Sequence, residues 1–509
     1  MPAGGRPQML DVLVVGGGIN GTGIARDAAG RVLTVALCEQ HDLASHTSSA
    51  SSKLVHGGLR YLEHGQFGMV RKSLQERAVL MRIAPHLVQP LPFVLPHEAH
   101  LRPAWLIHLG LWLYDHLGGR SPQLPRSRSL RLRGHPLGAP LREDLRRGFT
   151  YTDAQAPDAR LVVVNAIDAA ERGAHIWTRT VCEQAWRQAD GWSVDLRDPD
   201  GTQRSVRTRM LVNATGAWAP RFVENISLTR GVALRLVQGS HIVVPALYAH
   251  DHAYLLQQPD GRIVFALPFE DHYTLIGTTD VDFEGDPGAV HVDDAQRDYL
   301  CAAANRSFRQ QTSPRDIVWE FSGVRALLDD PEAEASAVTR DYRLDLDAEG
   351  APLLNVLGGK LTTYRRLAEE AVDLLAGHAG TAAPAWTATG AQLPGAERGT
   401  PAQCAAWLAT QWPWLPPKLA ARWSRTYGAR ATLILGQADS LAALGTHFGA
   451  DLYEAEVRYL CTHEWARQAD DVLWRRTRLG LVLDAAQQHR LACWLDTHAS
   501  TSGRAVGAP

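Results

Sequence analysis

The turn Gly16-Gly-Gly-Ile-Asn-Gly21 constrains this chain more than any other stretch. A short apolar strand, Asp11-Val-Leu-Val-Val15, runs into it, and a helical stretch from Ile19 to Ala29 leaves it. A second strand, Val32 to Leu37, then ends at Glu39. This is G-x-G-x-x-G set between strand and helix, and each position has a physical reason. Gly16 permits the tight turn, Gly18 lets the backbone approach a pyrophosphate, and Gly21 lets helix and strand pack closely. The helix N-terminus presents unpaired N–H groups to the anion. Glu39 lies 18 residues beyond Gly21, where a carboxylate accepts hydrogen bonds from ribose hydroxyls. The turn predicts an α/β, Rossmann-like domain that binds a dinucleotide.

Two later segments choose the dinucleotide. Met210-Leu-Val-Asn-Ala-Thr-Gly-Ala-Trp218 is another strand ending in a small-residue turn, Ala214-Thr215-Gly216. It is similar to a second contact in flavoproteins of the two-dinucleotide-binding-domain type. Leu353-Leu-Asn-Val-Leu-Gly-Gly-Lys-Leu-Thr-Thr363 is a third strand, turning at Gly358-Gly359 into a helix from Thr362 to Leu375. The positive end of that helix suits the electron-rich edge of a reduced flavin. A nicotinamide enzyme needs no such third element, so the expected cofactor is non-covalent FAD. Its expected contacts are Gly16, Gly18, Asn20, Gly21 and Glu39, then Ala214, Thr215 and Gly216, then Gly359, Lys360, Leu361 and Thr362.

The run Thr47-Ser-Ser-Ala-Ser-Ser-Lys53 followed by His56-Gly-Gly-Leu-Arg-Tyr61 resembles the FAD-dependent glycerol-3-phosphate dehydrogenases. The likeness continues through Gly239-Ser-His241, Gly277-Thr-Thr-Asp280, Ser322-Gly-Val-Arg325 and Gly358-Gly-Lys-Leu-Thr-Thr-Tyr364. It reaches His463-Glu-Trp465 and Trp474-Arg-Arg-Thr477, so it covers nearly the whole chain in order. The bacterial aerobic, respiratory branch is nearest, since neither the EF-hand loops of the mitochondrial form nor the cysteine-rich motifs of the anaerobic form are visible. The oxygen-using oxidase shares most of these motifs and is the alternative.

The resemblance implies a glycine/D-amino-acid-oxidase-type FAD-binding domain that oxidises sn-glycerol 3-phosphate to dihydroxyacetone phosphate. It implies electron transfer to ubiquinone or menaquinone and a homodimer attached peripherally to the inner, cytoplasmic face of the cell membrane. It adds Thr47, Ser48, Ser52 and Lys53 to the cofactor contacts. His46 departs from the pattern; some flavoproteins of the wider group attach FAD through a histidine near this point, but a polar loop histidine is the ordinary reading.

Oxidising a secondary alcohol requires removal of the O–H proton and transfer of the C–H hydride to the flavin. A phosphate dianion also needs paired positive charge, and charge-assisted hydrogen bonds are worth roughly 1.5–3 kcal/mol each. Arg60, Arg325 and Lys360 each stand beside a glycine-containing turn, and arginine suits bidentate phosphate recognition. By resemblance, Arg60 and Arg325 hold substrate and Lys360 sits near both flavin and substrate. The base should titrate near neutrality. His56 and His241 are both candidates, with His56 slightly ahead and Tyr61 as a substrate-facing hydroxyl. Asp280 could orient a base or hold a turn.

With 509 residues the chain has room for two or three domains. The formal net charge of −2 gives no global field for nucleic acid, so any anion site must be local. Six scattered cysteines without a C-x-x-C pair carry no iron–sulfur, zinc or secreted disulfide signal. No metal site is expected. Residues 1–80, 150–235 and 320–380 are read as a discontinuous FAD-binding domain. Residues 81–149 and 236–319 form an antiparallel-sheet capping domain, in which Pro259-Asp-Gly261 turns a hairpin. Residues 385–500 form an all-α C-terminal domain, with Trp407, Trp412 and Trp414 on apolar faces and a disordered tail from Thr501 to Pro509.

No signal peptide is visible at Met1 to Leu10, and no stretch reaches the ~20 apolar residues a bilayer span needs. Ala104-Trp-Leu-Ile-His-Leu-Gly-Leu-Trp-Leu-Tyr114 is strongly apolar, and Arg120, Arg126, Arg128, Arg131, Arg133 and Arg142 follow without an acid until Glu143. Such a pair suits a membrane interface with anionic headgroups. A buried helix beside a solvated loop is the competing expectation.

Overall fold

The computed structural model describes residues 9–98, 101–118, 124–226, 233–328, 341–380 and 383–498. Strand β1 (Leu10–Val15) is buried along nearly its whole length, as a strand covered on both faces must be. It lies parallel to and between β2 (Val35–Glu39) and β10 (Gln203–Asn213). With β7 (His175–Thr178) and β18 (Leu353–Gly358) the parallel order is β18-β10-β1-β2-β7. Antiparallel β17 (Tyr342–Asp347) closes one edge. The hairpin β8 (Val181–Gln188) and β9 (Gly191–Arg197) attaches to β10. Helices α1 (Ile19–Gly30), α4 (Asp158–Glu171) and α7 (Tyr364–Ala379) share one apolar core with this sheet, through Ile24, Ala28, Val164, Leu367 and Ala371. The second strand starts at Val35 rather than Val32. Val32 has φ 66° and is 87% exposed, a left-handed turn conformation that cannot open a strand.

The second sheet carries the remaining long strands. Its order is β15 (Val281–Asp282), β11 (Leu234–Pro245), β14 (Tyr273–Gly277), β13 (Ile263–Phe269), β12 (Ala253–Gln257), β4 (Gln89–His97), β6 (Arg147–Gln155) and β3 (Leu54–Val55). The hairpin of β12 and β13 sets Tyr254 opposite Ala266, with Gly261 at φ 79° in its turn. β5 (Arg128–Arg131) pairs with β6, and β16 (Trp319–Leu328) pairs along the other edge of β11. Helices α2 (Phe67–Ile83), α3 (Ala104–Leu117) and α6 (Asp294–Asn305) complete this half of the chain, while α5 (Ala219–Asn225) packs on the first sheet, with Phe222 in one cluster with Leu13 and Leu211. Two expected boundaries move: β16, read within the nucleotide-binding segment 320–380, and β3, read within 1–80, both belong to the second sheet. A strand's partner is whichever unpaired edge the folded chain brings beside it, and periodicity does not encode that choice.

The C-terminal unit has its own core, with Leu408, Leu419, Trp423, Leu460 and Leu491 fully buried and Trp407, Trp412 and Trp414 packed against it. Its helices are α8 (Pro401–Gln411), α9 (Pro417–Thr426), α10 (Ala431–Leu435), α11 (Glu454–His463) and α12 (Ala485–His498). It is not wholly helical: β19 (His447–Gly449) and β20 (Leu452–Tyr453) make a small hairpin. Gly449 and Ala450, both at positive φ, make its turn, and strands this short leave no alternating pattern to read. Arg120 and the tail from Thr501 lie outside the described residues.

Candidate active site

The first glycine turn is built as its spacing demands. Gly16 has φ 115°, and a Cβ there would lie 2.5 Å from the Ala214 carbonyl oxygen. A Cβ on Gly21 would lie 2.0 Å from the Gly16 carbonyl oxygen. Gly21 is thus a packing glycine, and it does not itself face the cavity described below. Glu39 Oε2 accepts from the Gly17 N–H at 2.7 Å, and its Oε1 accepts from the His41 N–H at 2.7 Å. Burial raises the Glu39 pKa, against the lowering effect of those two donors. Ser48 lies over the helix entry, its Oγ accepting from the Ile19 N–H at 3.0 Å.

A cavity of about 830 Å³ opens along this turn, a cofactor-sized volume. Gly16, Gly18, Asn20, Glu39, Thr47, Ser48, Ser52, Ala214, Thr215, Gly216, Gly359, Lys360, Leu361 and Thr362 all line it. Several details fit a large dinucleotide. The N-terminus of α1 opens onto it at Gly18 and Ile19, and an added Cβ at Gly18 would come within 3.0 Å of Ser48 Oγ. Gly358 and Gly359, at φ 77° and 92°, bend the chain away to leave the space clear.

The second sheet supplies much of the opposite wall, and Lys360 reaches it from the turn after β18 of the first sheet. His56, Tyr61, Arg325 and Lys360 all line the cavity. Thr362 Oγ1 pins the His56 backbone, accepting from its N–H at 3.2 Å and donating to its carbonyl at 3.3 Å. The His56 ring stands edge-on to Phe265, centroids 6.3 Å apart. Lys360 Nζ lies 4.9 Å from the centre of the Tyr61 ring. Arg325, carried by β16, donates through Nη1 to Asp280 and through Nη2 to Thr278 Oγ1 at 3.2 Å. Gly239 makes room for that guanidinium, since a Cβ there would lie 2.8 Å from Arg325 Nη2.

Three expected site residues stand elsewhere. Lys53 turns into the protein, where its Nζ donates to both Asp158 oxygens at 3.0 and 2.9 Å. Burial lowers its pKa to about 8, although Asp158 works the other way. His241 is 1% exposed and stacked on Phe321, with Nε2 at 2.8 Å from Ser52 Oγ. Burial, then Arg325 and Lys53, push its pKa well below the ordinary imidazole range. It is not on the cavity wall, but its hydrogen-bond partner Ser52 is. Arg60, half-buried on the 3₁₀ turn Leu59–His64, is not on the cavity wall.

The motifs did not reveal Thr180, Val181, Cys182, Arg221 or Phe222, which also line the cavity. They come from the β7–β8 connection, the start of β8 and helix α5, which carry no glycine signature; only folding brings them to the nucleotide turn. His46 lines the cavity too, beside Trp218 at 4.7 Å between ring centres and bonded to His41 at 3.0 Å. Burial, then His41, lowers its pKa to about 4.

Comparison with known proteins agrees with this architecture. Residues 11–365 match the family model described as FAD dependent oxidoreductase. Residues 387–493 match the C-terminal domain of alpha-glycerophosphate oxidase. The chain is 53% identical over 500 residues to a glycerol-3-phosphate dehydrogenase of Pseudomonas aeruginosa, covering 97% of each chain. It is 48% identical over 495 residues to a D-erythritol 1-phosphate dehydrogenase of Brucella abortus, covering 96% of this chain and 98% of that one. The crystal structure of a Bacillus halodurans glycerol-3-phosphate dehydrogenase complexed with FAD superposes with a TM-score of 0.75 at 26% identity, covering 98% of this chain and 92% of that one. The chain is therefore an FAD-dependent oxidoreductase of the glycerol-3-phosphate dehydrogenase family.

Proposed function

We propose that the chain oxidises sn-glycerol 3-phosphate to dihydroxyacetone phosphate and passes the electrons to a membrane quinone, ubiquinone or menaquinone. The observation that carries this reading is the meeting of Arg325, Lys360, His56 and Tyr61 on the wall of the cavity that the glycine turns bound. Two cations of different geometry suit a phosphate dianion: a guanidinium fork oriented by Asp280 and Thr278, and an ammonium over the Tyr61 ring. His56 is the proposed base, its main chain pinned on both sides by Thr362. An imidazole can take the alcohol proton near neutral pH. Bound FAD supplies the hydride acceptor. His241, which bonds the cavity-lining Ser52, is the second candidate base, and Arg60, next to the cavity-lining Tyr61, is the third candidate cation.

The quinone reading draws support from α3. Trp105, Leu109 and Trp112, spaced along one helix face, are 69%, 44% and 51% exposed. Arg126, Arg128, Arg131 and Arg133 are exposed in the segment that follows. Among the described residues no helix is long and apolar enough to cross a membrane. An apolar helix face beside a basic strand supports docking on an anionic membrane surface. The homodimer and the cytoplasmic face are carried over from the family resemblance.

Glycerol 3-phosphate added without oxygen should bleach the bound flavin of the wild type, and His56→Asn should slow that bleaching more than His241→Asn does. No bleaching sinks the substrate reading. D-erythritol 1-phosphate in parallel gauges how far the cavity takes a longer polyol phosphate. Peroxide release in place of quinone reduction would turn the acceptor to oxygen and the enzyme to a glycerol-3-phosphate oxidase.

A further inference from the structure

The connection between Glu39 and β3 faces the cavity on one side and the C-terminal unit on the other. Its inner side supplies Ala44, Ser45, His46, Thr47, Ser48 and Ser52 to the cavity wall. Its ends are gripped from outside by arginines of one short stretch, 475–478. At the front, Asp42 is 2% exposed. It accepts from Arg475 Nε at 2.7 Å and from Arg476 Nη1 and Nη2 at 2.7 and 2.8 Å. Burial works to raise the Asp42 pKa, yet the two arginines hold it below the usual carboxylate range. At the rear, Asp158 of α4 accepts from the Ser51 N–H at 3.1 Å, the Ser51 hydroxyl at 2.7 Å and Lys53 Nζ. Arg478 Nη2 lies 3.8 Å from that same carboxylate.

Between these anchors the connection is not packed solidly on the C-terminal unit. A second cavity of about 270 Å³, lined by Ser45, Thr47, Ala50, Trp474 and Arg475 among others, lies between them. The connection is thus held on its inner side by Ser48 against Ile19 and Thr47 against Val324, and on its outer side by the arginines at its ends, which add a restraint on its position over the cofactor cavity. A contact serving only cohesion has no need to fall here. Arg430 and Glu171, 2.5 Å apart, join α4 to the same C-terminal unit without touching the connection.

We infer that Arg475, Arg476 and Arg478 are positioning residues for the cofactor: through Asp42 and Asp158 the C-terminal unit sets how firmly the 42–53 connection holds FAD. The inference rests on the reading of this connection as flavin-facing, which Ser48→Ala tests separately. Both Arg475→Gln and Arg478→Gln remove a charged contact at one anchor while leaving its carboxylate another cation.

Apoenzyme of each variant is titrated with FAD, and the visible spectrum of the bound flavin is recorded. Arg475→Gln should raise the Kd for FAD about tenfold, the equivalent of one charge-assisted hydrogen bond, and shift the flavin absorption band. Arg475→Lys should recover part of the loss, and Arg430→Gln should leave both readouts at their wild-type values. Should Arg475→Gln fail to accumulate in folded form, Arg478→Gln carries the same comparison. Wild-type Kd and spectrum in the 475 and 478 variants would overturn the inference, as would an equal loss in Arg430→Gln. Unchanged FAD binding in Ser48→Ala would instead remove the flavin-facing reading, and the inference with it.

Discussion

Arg325 shows how one side chain is prepared for work before its ligand arrives. Asp280 and Thr278 fix its fork, and Gly239 leaves the space it fills. Its replacement by Gln keeps a polar side chain but loses the charge and the fork. At roughly 1.5–3 kcal/mol per charge-assisted hydrogen bond, KM for glycerol 3-phosphate should rise by about one to two orders of magnitude. A KM within about threefold of wild type would remove Arg325 from the phosphate site. His86 is the opposite case, a buried titratable group with no part in the chemistry. It is 1% exposed, and neither ring nitrogen has a hydrogen-bond partner among the described residues. Burial, then Arg160, lowers its pKa from 6.5 to about 3. The unfolded chain therefore takes up the proton first, and stability present above pH 6.5 falls as pH drops from 6.5 toward 3. Its share of the slope is at most about 1.4 kcal/mol per pH unit. Urea unfolding of His86→Leu should lose that share between pH 6 and pH 5 (roughly the working range) and match wild type above pH 7.5 (about one unit past titration).

At the scale of elements, the nucleotide site depends on turns that admit no side chain. Gly16 combines φ 115° with a Cβ position 2.5 Å from the Ala214 carbonyl oxygen, and that neighbour is backbone rather than a flexible side chain. Gly16→Ala should therefore separate β1 from the turn after β10 and strip FAD from the purified protein. An FAD content equal to wild type would show that the turn relaxes without cost. These turns were legible because a strand, a glycine pattern and a helix follow each other in one short stretch. The β16 edge was not legible in this way. Thr47 Oγ1 bonds the Val324 carbonyl at 2.7 Å across 277 positions of chain, a distance over which no local pattern carries information.

For the whole molecule, the exposed face of α3 makes the strongest external prediction. Replacing Trp105 and Trp112 with Ser removes two large apolar side chains that are 69% and 51% exposed, together with the ring contact of Trp112 on His116. A tryptophan can bury about 150–250 Å² on insertion, worth several kcal/mol at roughly 25 cal/mol per Å². Cosedimentation of the double variant with vesicles containing anionic lipid should fall at least about tenfold. Wild-type cosedimentation in that variant would assign α3 to some other contact. The arginine segment predicts that binding by the wild type weakens with added salt.

The chain's own order of residues determined the cofactor turn, its acid at Glu39, the later turns at Ala214–Gly216 and Gly358–Gly359, and the family to which they belong. Those are local signals, written in steric rules that act within a few residues: glycine is favoured where φ is positive and needed where backbone meets backbone, as at Gly16 and Gly21. Tertiary structure alone decided that Lys53 and His241 turn away from the cavity and that Arg60 stands off its wall. It alone moved Arg325 into the second sheet and gave the C-terminal arginines their grip on Asp42 and Asp158. Where a side chain points depends on which distant partner satisfies its charge or covers its ring. That partner exists only once the chain has folded.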